Sequence, residues 1–179
     1  MLIFTLGLYR ISMLLTTELL MSINHHRPVS LSLMSTDLAV DSTLETSGTL
    51  YQKDRFRFDL LLNQPDTPQS VNQEEVTSVV ETARHMLWLE ISPARVIMSL
   101  QGNGKFCYRH FWEPGIYGLS RYWLNDNSGD IANVFRLRNY TRRLQLDGDI
   151  LPEYLRIEYE LWSGKVQLGN YILNLEVYH

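Results

Sequence analysis

The chain has 179 residues, 45% of them hydrophobic and 20% charged, with a formal net charge of −4. That length suits one globular domain with a substantial core. The acidic balance excludes a surface built throughout to meet nucleic acid, and the single cysteine, Cys107, excludes an intrachain disulfide or a cysteine-rich zinc site. One thiol and no disulfide suit a reducing compartment.

Residues 1–23 are leucine-rich but broken by Arg10 and Glu18. They meet neither the pattern of a spanning helix nor that of a secretory signal. The expected division is an N-terminal extension over 1–23, which an over-extended gene start or a peripheral helix would explain, and one globular domain over 24–179. No transmembrane span is expected.

From Val29 the pattern is that of β structure. Val29, Leu31 and Leu33 alternate with serines, and Leu38 to Val40 follows a polar break. Leu44 to Leu62 reads as a hairpin turned at Gln52 to Asp54, with Phe56, Phe58 and Leu60 on one face and Arg55, Arg57 and Asp59 on the other.

After the loop Asn63 to Pro68, residues 71–90 read as one amphipathic helix. Val76, Val79, Val80, Ala83, Leu87 and Ile91 fall at helical spacing, and Ser70 with Gln73, or Asn72 with Glu75, offers a capping box. Pro93 ends it.

A meander follows. Ala94 to Leu100 and Lys105 to Glu113 flank an Asn103-Gly104 hairpin turn, and Pro114-Gly115 leads into Tyr117 to Leu124. In Lys105 to Glu113, Phe106, Tyr108 and Trp112 face one way and Cys107 and Phe111 the other. Glu153 to Trp162 sets Leu155, Ile157, Tyr159 and Leu161 against Arg156, Glu158 and Glu160, and the last strand carries Tyr171, Leu173, Leu175 and Val177 on one face. The expected fold class is α+β, mainly β: a curved antiparallel sheet or partly closed barrel packed on one helix.

The stretch Ile131 to Leu146 holds the densest arginine. Phe135 and Leu137 set the apolar phase before Arg142-Arg143, and Leu144 and Leu146 set it after, one residue out of step. An extra residue there keeps both sets on one side, so the pattern predicts a β-bulge at Arg142-Arg143. Arg136, Arg138, Tyr140, Arg142 and Arg143 then look away from the core. Guanidinium groups bind carboxylate or phosphate and stack on rings, which points to anion recognition. Equally, Arg136 and Arg138 opposite Glu158 and Glu160 would make a cross-strand charge ladder, each pair worth roughly 0.2–1 kcal/mol. Over residues 131–179 the six cations Arg136, Arg138, Arg142, Arg143, Arg156 and Lys165 equal the six anions Asp147, Asp149, Glu153, Glu158, Glu160 and Glu176, which favours the ladder. Arg142 or Arg143, at the bulge, is the arginine expected to stay unpaired.

Other motifs reduce to plainer readings. Gly102 to Lys105 lacks the glycine spacing and following hydroxyl of a phosphate loop. Asp126, Ser128 and Asp130 open like a calcium loop, but Ile131 and Leu137 stand where it needs glycine and glutamate. Asn139-Tyr140-Thr141 is a sequon in form alone. Cys107 and His110 point to opposite faces of a strand, although His85 could approach Cys107 across the fold. No catalytic residue, metal ligand set or cofactor motif stands out. The aromatic cluster Tyr108, Phe111, Trp112, Tyr117, Tyr122 and Trp123 suits a core or an interface.

The segments GNGKFCYRHFWEPGIYGLSRYW (Gly102–Trp123) and LPEYLRIEYELWSGKVQLGNYILNLEV (Leu151–Val177) resemble conserved cyanobacterial proteins of uncharacterised activity. The resemblance implies a cytoplasmic setting and no functional residues. Two functions fit these readings. One is a non-catalytic adaptor binding a protein partner through Arg136, Arg138, Tyr140, Arg142, Arg143, Trp112, Tyr122 and Trp123. The other is a carrier of an anionic, partly apolar small molecule in a barrel or sheet–helix cleft. Nucleic acid is the less expected partner.

Overall fold

The computed structural model describes residues 24–63, 86–101, 106–124 and 133–179. They form ten antiparallel strands: β1 (Asn24–Ser35), β2 (Asp41–Gln52), β3 (Phe58–Asn63), β4 (Met86–Ile91), β5 (Val96–Gln101), β6 (Phe106–Trp112), β7 (Tyr117–Leu124), β8 (Asn133–Asp147), β9 (Tyr154–Ser163) and β10 (Val166–Val177). Each strand pairs with its neighbour in sequence, and β10 pairs with β1, so the sheet closes into an up-and-down barrel. Closure leaves no row of unpaired backbone groups at a sheet edge.

The expected α+β fold is therefore overturned: among the described residues the fold is all β, a closed ten-stranded barrel with no helix. The predicted helix over 71–90 fails where it can be compared, because Met86–Ile91 is β4. Leu87 and Ile91 are four apart, and residues four apart share a face in a helix and in a strand alike. Leu89, buried between them, decides for the period of two, with Leu87, Leu89 and Ile91 inward. Residues 71–85 lie outside the described residues, as do 1–23, the Asn103-Gly104 turn and the Asp126 to Asp130 loop.

Two further expectations shift. Leu38 to Val40 is a bend before β2, and Leu38 and Val40 are exposed. Phe56, expected beside Phe58, sits in the β2–β3 turn, exposed, with the Arg55 guanidinium 5.1 Å from its ring centroid. Asp54 makes that turn by accepting the Phe56 and Arg57 amides at 2.9 Å each.

The predicted bulge is present. Thr141 pairs with Tyr159 and Arg143 with Glu158, leaving Arg142 as the extra residue. Leu137, Asn139 and Thr141 before it and Leu144 and Leu146 after it thus all face the interior. Most of that interior is aliphatic: Val29, Leu50, Leu60, Leu62, Leu87, Leu89, Leu155, Ile157, Leu173 and Leu175 are each at most 2% exposed. One sector differs. The inner face of β6, β7 and β8 carries His110, Ser120, Asn139 and Thr141, all buried, among Tyr108, Trp112 and Tyr122.

Outside the bulge, Arg142 Nε donates to Glu160 Oε1 at 2.5 Å, and the Trp162 indole donates to Glu160 Oε2 at 2.9 Å. Glu160 is 7% exposed, so its charge relies on both. Arg142→Ala is expected to cost about 2 kcal/mol, less than a fully buried pair because Trp162 remains. Urea unfolding measures this, and adding Glu160→Gln to the Ala variant is expected to restore part of the loss.

Candidate functional site

Alternation splits the predicted site residues between two surfaces. Trp112 and Tyr122 point into the barrel, whereas Trp123, Arg136, Arg138, Tyr140 and Arg143 point out, with Arg142 at the bulge. One pocket cannot hold them all.

On the outer face the arginines part company. Of the four arginines on β8, Arg142 and Arg143 are the ones that meet acids among the described residues, Arg142 on Glu160 and Arg143 on Glu158 at 3.9 Å. Glu158 also takes Arg156 at 2.8 Å. The charge ladder exists, but with the bulge residues rather than with Arg136 and Arg138. The register explains the exchange: Arg138 pairs with Trp162, and the β8–β9 pairing reaches no further toward Arg136. Arg138 instead donates to the Gly164 carbonyl and lies 5.1 Å from the Tyr117 ring centroid, and Tyr117 packs on Tyr140.

Arg136 stands directly across from Arg121, and Arg121 directly across from Arg109. Arg109 reaches Glu90 at 3.5 Å. No carboxylate among the described residues reaches Arg121 or Arg136, both exposed. Like charges directly opposite on neighbouring strands repel. Three guanidinium groups thus cross β6, β7 and β8 over about 10 Å, two strand spacings. Trp123 pairs with exposed Val134 beside them. The sequence reading missed Arg109 and Arg121, because each is a lone arginine in its own strand and only pairing assembles the row.

The inner face holds a second constellation. Ser120 Oγ lies 2.9 Å from His110 Nδ1 and accepts from Asn139 Nδ2 at 2.8 Å. A neutral imidazole accepting the Ser120 hydroxyl proton lets Ser120 donate to His110 and accept from Asn139 at once. Burial holds the His110 imidazole down to about 4 from its ordinary 6.5 and raises the phenols of Tyr108 and Tyr122 to about 12. The Tyr159 phenol rises further for the same reason. His110 stacks on Trp112 with centroids 5.0 Å apart, and Trp112 meets Tyr159 at 5.3 Å.

Asn139 Oδ1, Thr141 Oγ1 and the Trp112 Nε1 proton are buried without a hydrogen-bond partner. Arg27 Nε on the inner face of β1 and Trp88 Nε1 on the outer face of β4 share that condition. Trp88 borders a shallow apolar cleft of about 370 Å³ with Tyr51, Leu61 and Met86. The sequon of Asn139 and Thr141 is thus closed to modification in the fold, since both side chains are buried. Cys107 faces out and His110 in, as expected, and His85 lies outside the described residues. The signal for the inner cluster was a polar residue standing in the apolar phase of its strand, as His110 does between Tyr108 and Trp112.

No protein-family model matches the chain, and no curated protein does. Among solved structures, the crystal structure of ywiB protein from Bacillus subtilis is similar at 16% identity, covering 86% of this chain and 94% of that one, with a TM-score of 0.49. Likeness at that level carries no functional argument. No helix among the described residues is long and apolar enough to cross a membrane.

The buried imidazole makes stability depend on pH. Unfolded, His110 takes a proton near pH 6.5; folded, it resists until about pH 4. Between these values the unfolded state binds more protons, so stability falls as pH falls, by about 3 kcal/mol over the window at about 1.4 kcal/mol per pH unit. Denaturation midpoints measured across the window are expected to show this slope, and His110→Phe is expected to flatten it.

Proposed function

We propose that the chain is a non-catalytic interaction domain that docks an acidic protein segment on the outer face of β6, β7 and β8. The observation that carries this reading is the row Arg109, Arg121 and Arg136, in which Arg121 and Arg136 oppose each other with no carboxylate in reach among the described residues. A carboxylate laid between them relieves their repulsion and accepts forked hydrogen bonds, which arginine supplies better than lysine. Trp123 and Val134 border the row, with Tyr140 further along β8 beyond Arg138, and suit apolar or aromatic partner residues beside the acidic ones. Of the predicted binding residues, Arg136, Arg138, Tyr140 and Trp123 belong to this surface, and Arg142 and Arg143 serve the barrel wall. A reducing, cytoplasmic setting suits the free, half-buried thiol of Cys107 on the same face.

Fluorescence anisotropy with a labelled peptide of alternating glutamate and phenylalanine tests this reading. Binding is expected to weaken with added salt and to drop by about tenfold or more in Arg121→Glu/Arg136→Glu, while Arg57→Glu, on the β2–β3 turn, leaves it unchanged. Equal affinity for the peptide and for single-stranded RNA, or an unchanged affinity in the double variant, removes the proposal.

A further inference from the structure

The outer face of β10, β1 and β2 carries a row of the opposite sign. Val29, Leu31, Leu175 and Val177 face the core, so Ser30 and Glu176 between them look outward. Ser30 pairs directly with Glu176 on one side and with Glu45 on the other. The two glutamates therefore stand on one line across three strands, about 10 Å apart at two strand spacings. Both are exposed, and among the described residues neither forms an ion pair. Glu45 accepts from the Ser30 hydroxyl at 2.6 Å and Glu176 from the Tyr178 hydroxyl at 2.8 Å. The Tyr178 phenol is held above its ordinary range, first by that hydrogen bond, with the charges of Glu176 and Glu45 adding to it.

Short side chains border this line. Pro28 and Ser47 lie on one side of it, and Ser32, Thr43 and Asn174 on the other. Apart from Tyr178 at the end of β10, nothing bulky stands beside the glutamates, so another sheet face can approach them closely. In the closed order of strands, β1 lies four strands from β7 in one direction and six in the other. The acidic row and the arginine row thus sit on nearly opposite sides of the barrel. A patch that matches a different patch of the same molecule makes a heterologous contact, which adds copies head to tail.

We infer that the acidic partner of the arginine row is the β10–β1–β2 face of a second copy of this chain. The inference rests on the docking proposed above and names its partner. Arg109, Arg121 and Arg136 cross three neighbouring strands in about 10 Å, and Glu176, Ser30 and Glu45 do the same with opposite charge. Laid over the arginine row, one carboxylate reaches Arg136 and the other Arg109, and Arg121 between them lies within reach of both. Each face repels its own copy, since like charges brought together across an interface are costly, so a symmetric pairing of either face is disfavoured. The short side chains beside the glutamates leave room for Trp123 and Val134 at the edge of the arginine row. A docked pair still has one arginine row and one acidic row open, so further copies extend it into a chain or ring.

Sedimentation velocity of the full chain tests the inference. At low salt the weight-average sedimentation coefficient is expected to rise with protein concentration. It is expected to return to the monomer value at about 0.5 M salt, where exposed charges are screened within about 4 Å. Glu45→Gln/Glu176→Gln and Arg121→Glu/Arg136→Glu are each expected to weaken association by about tenfold or more on their own. Mixed in equal amounts, the two variants are expected to form one-to-one pairs and nothing longer, because each supplies the face that the other has lost. Glu45→Gln/Glu176→Gln keeps its arginine row, so it is expected to bind the labelled acidic peptide at least as well as the native chain. The inference falls if the native chain stays monomeric at low salt, if the glutamine variant associates as strongly as the native chain, or if mixing restores nothing. Peptide binding retained in those cases leaves the docking surface standing, and its loss removes that reading as well.

Discussion

Strand β8 carries one residue more than β9 can pair, and most of what distinguishes this barrel depends on where that residue sits. With Arg142 left out of the ladder, Asn139 and Thr141 before it and Leu144 and Leu146 after it all look inward. Without the insertion, one half of the strand would turn its inner side chains to solvent, since a shift of one residue exchanges the faces. The same bulge frees Arg142 to reach Glu160, a carboxylate that the wall has nearly buried. Sheet curvature, interior chemistry and one stabilising ion pair thus share a single cause.

Closure sets the second condition. A barrel of ten strands encloses more than eight do, and an interior of that width must be filled by large side chains or by a guest. Around most of the circumference leucine, isoleucine and valine fill it. From β6 to β10 the filling changes to rings in contact, from Tyr108 and Tyr122 through His110 and Trp112 to Tyr159 and Tyr171. Rings carry polar edges, so this sector brings polar atoms into the interior that a purely aliphatic one does not. The unpartnered atoms of Trp112, Asn139 and Thr141 fall there.

The same three strands present opposite chemistry on their two sides. Inside are neutral polar groups whose titration is suppressed by burial; outside are arginines set against each other across strands. A period of two along each strand allows both without conflict. His110 and Arg109 are neighbours in sequence, yet one is shielded from water and the other faces it.

What the sequence alone determined is whatever depends on neighbours along the chain. The alternation in β9 and β10, the turn glycines and the phase slip at Arg142 were all legible, because each is a local pattern of side-chain direction. Leu87 and Ile91 marked the limit of that reading, since a spacing of four residues cannot separate a helix from a strand. What depends on partners distant in sequence only the tertiary structure decided. Arg121 faces Arg136 rather than an acid because β7 lies between β6 and β8, and Arg143 meets Glu158 because the bulge moves the register. Asn139, part of an apparent surface sequon, became a buried acceptor because closing the sheet gave every strand an inside.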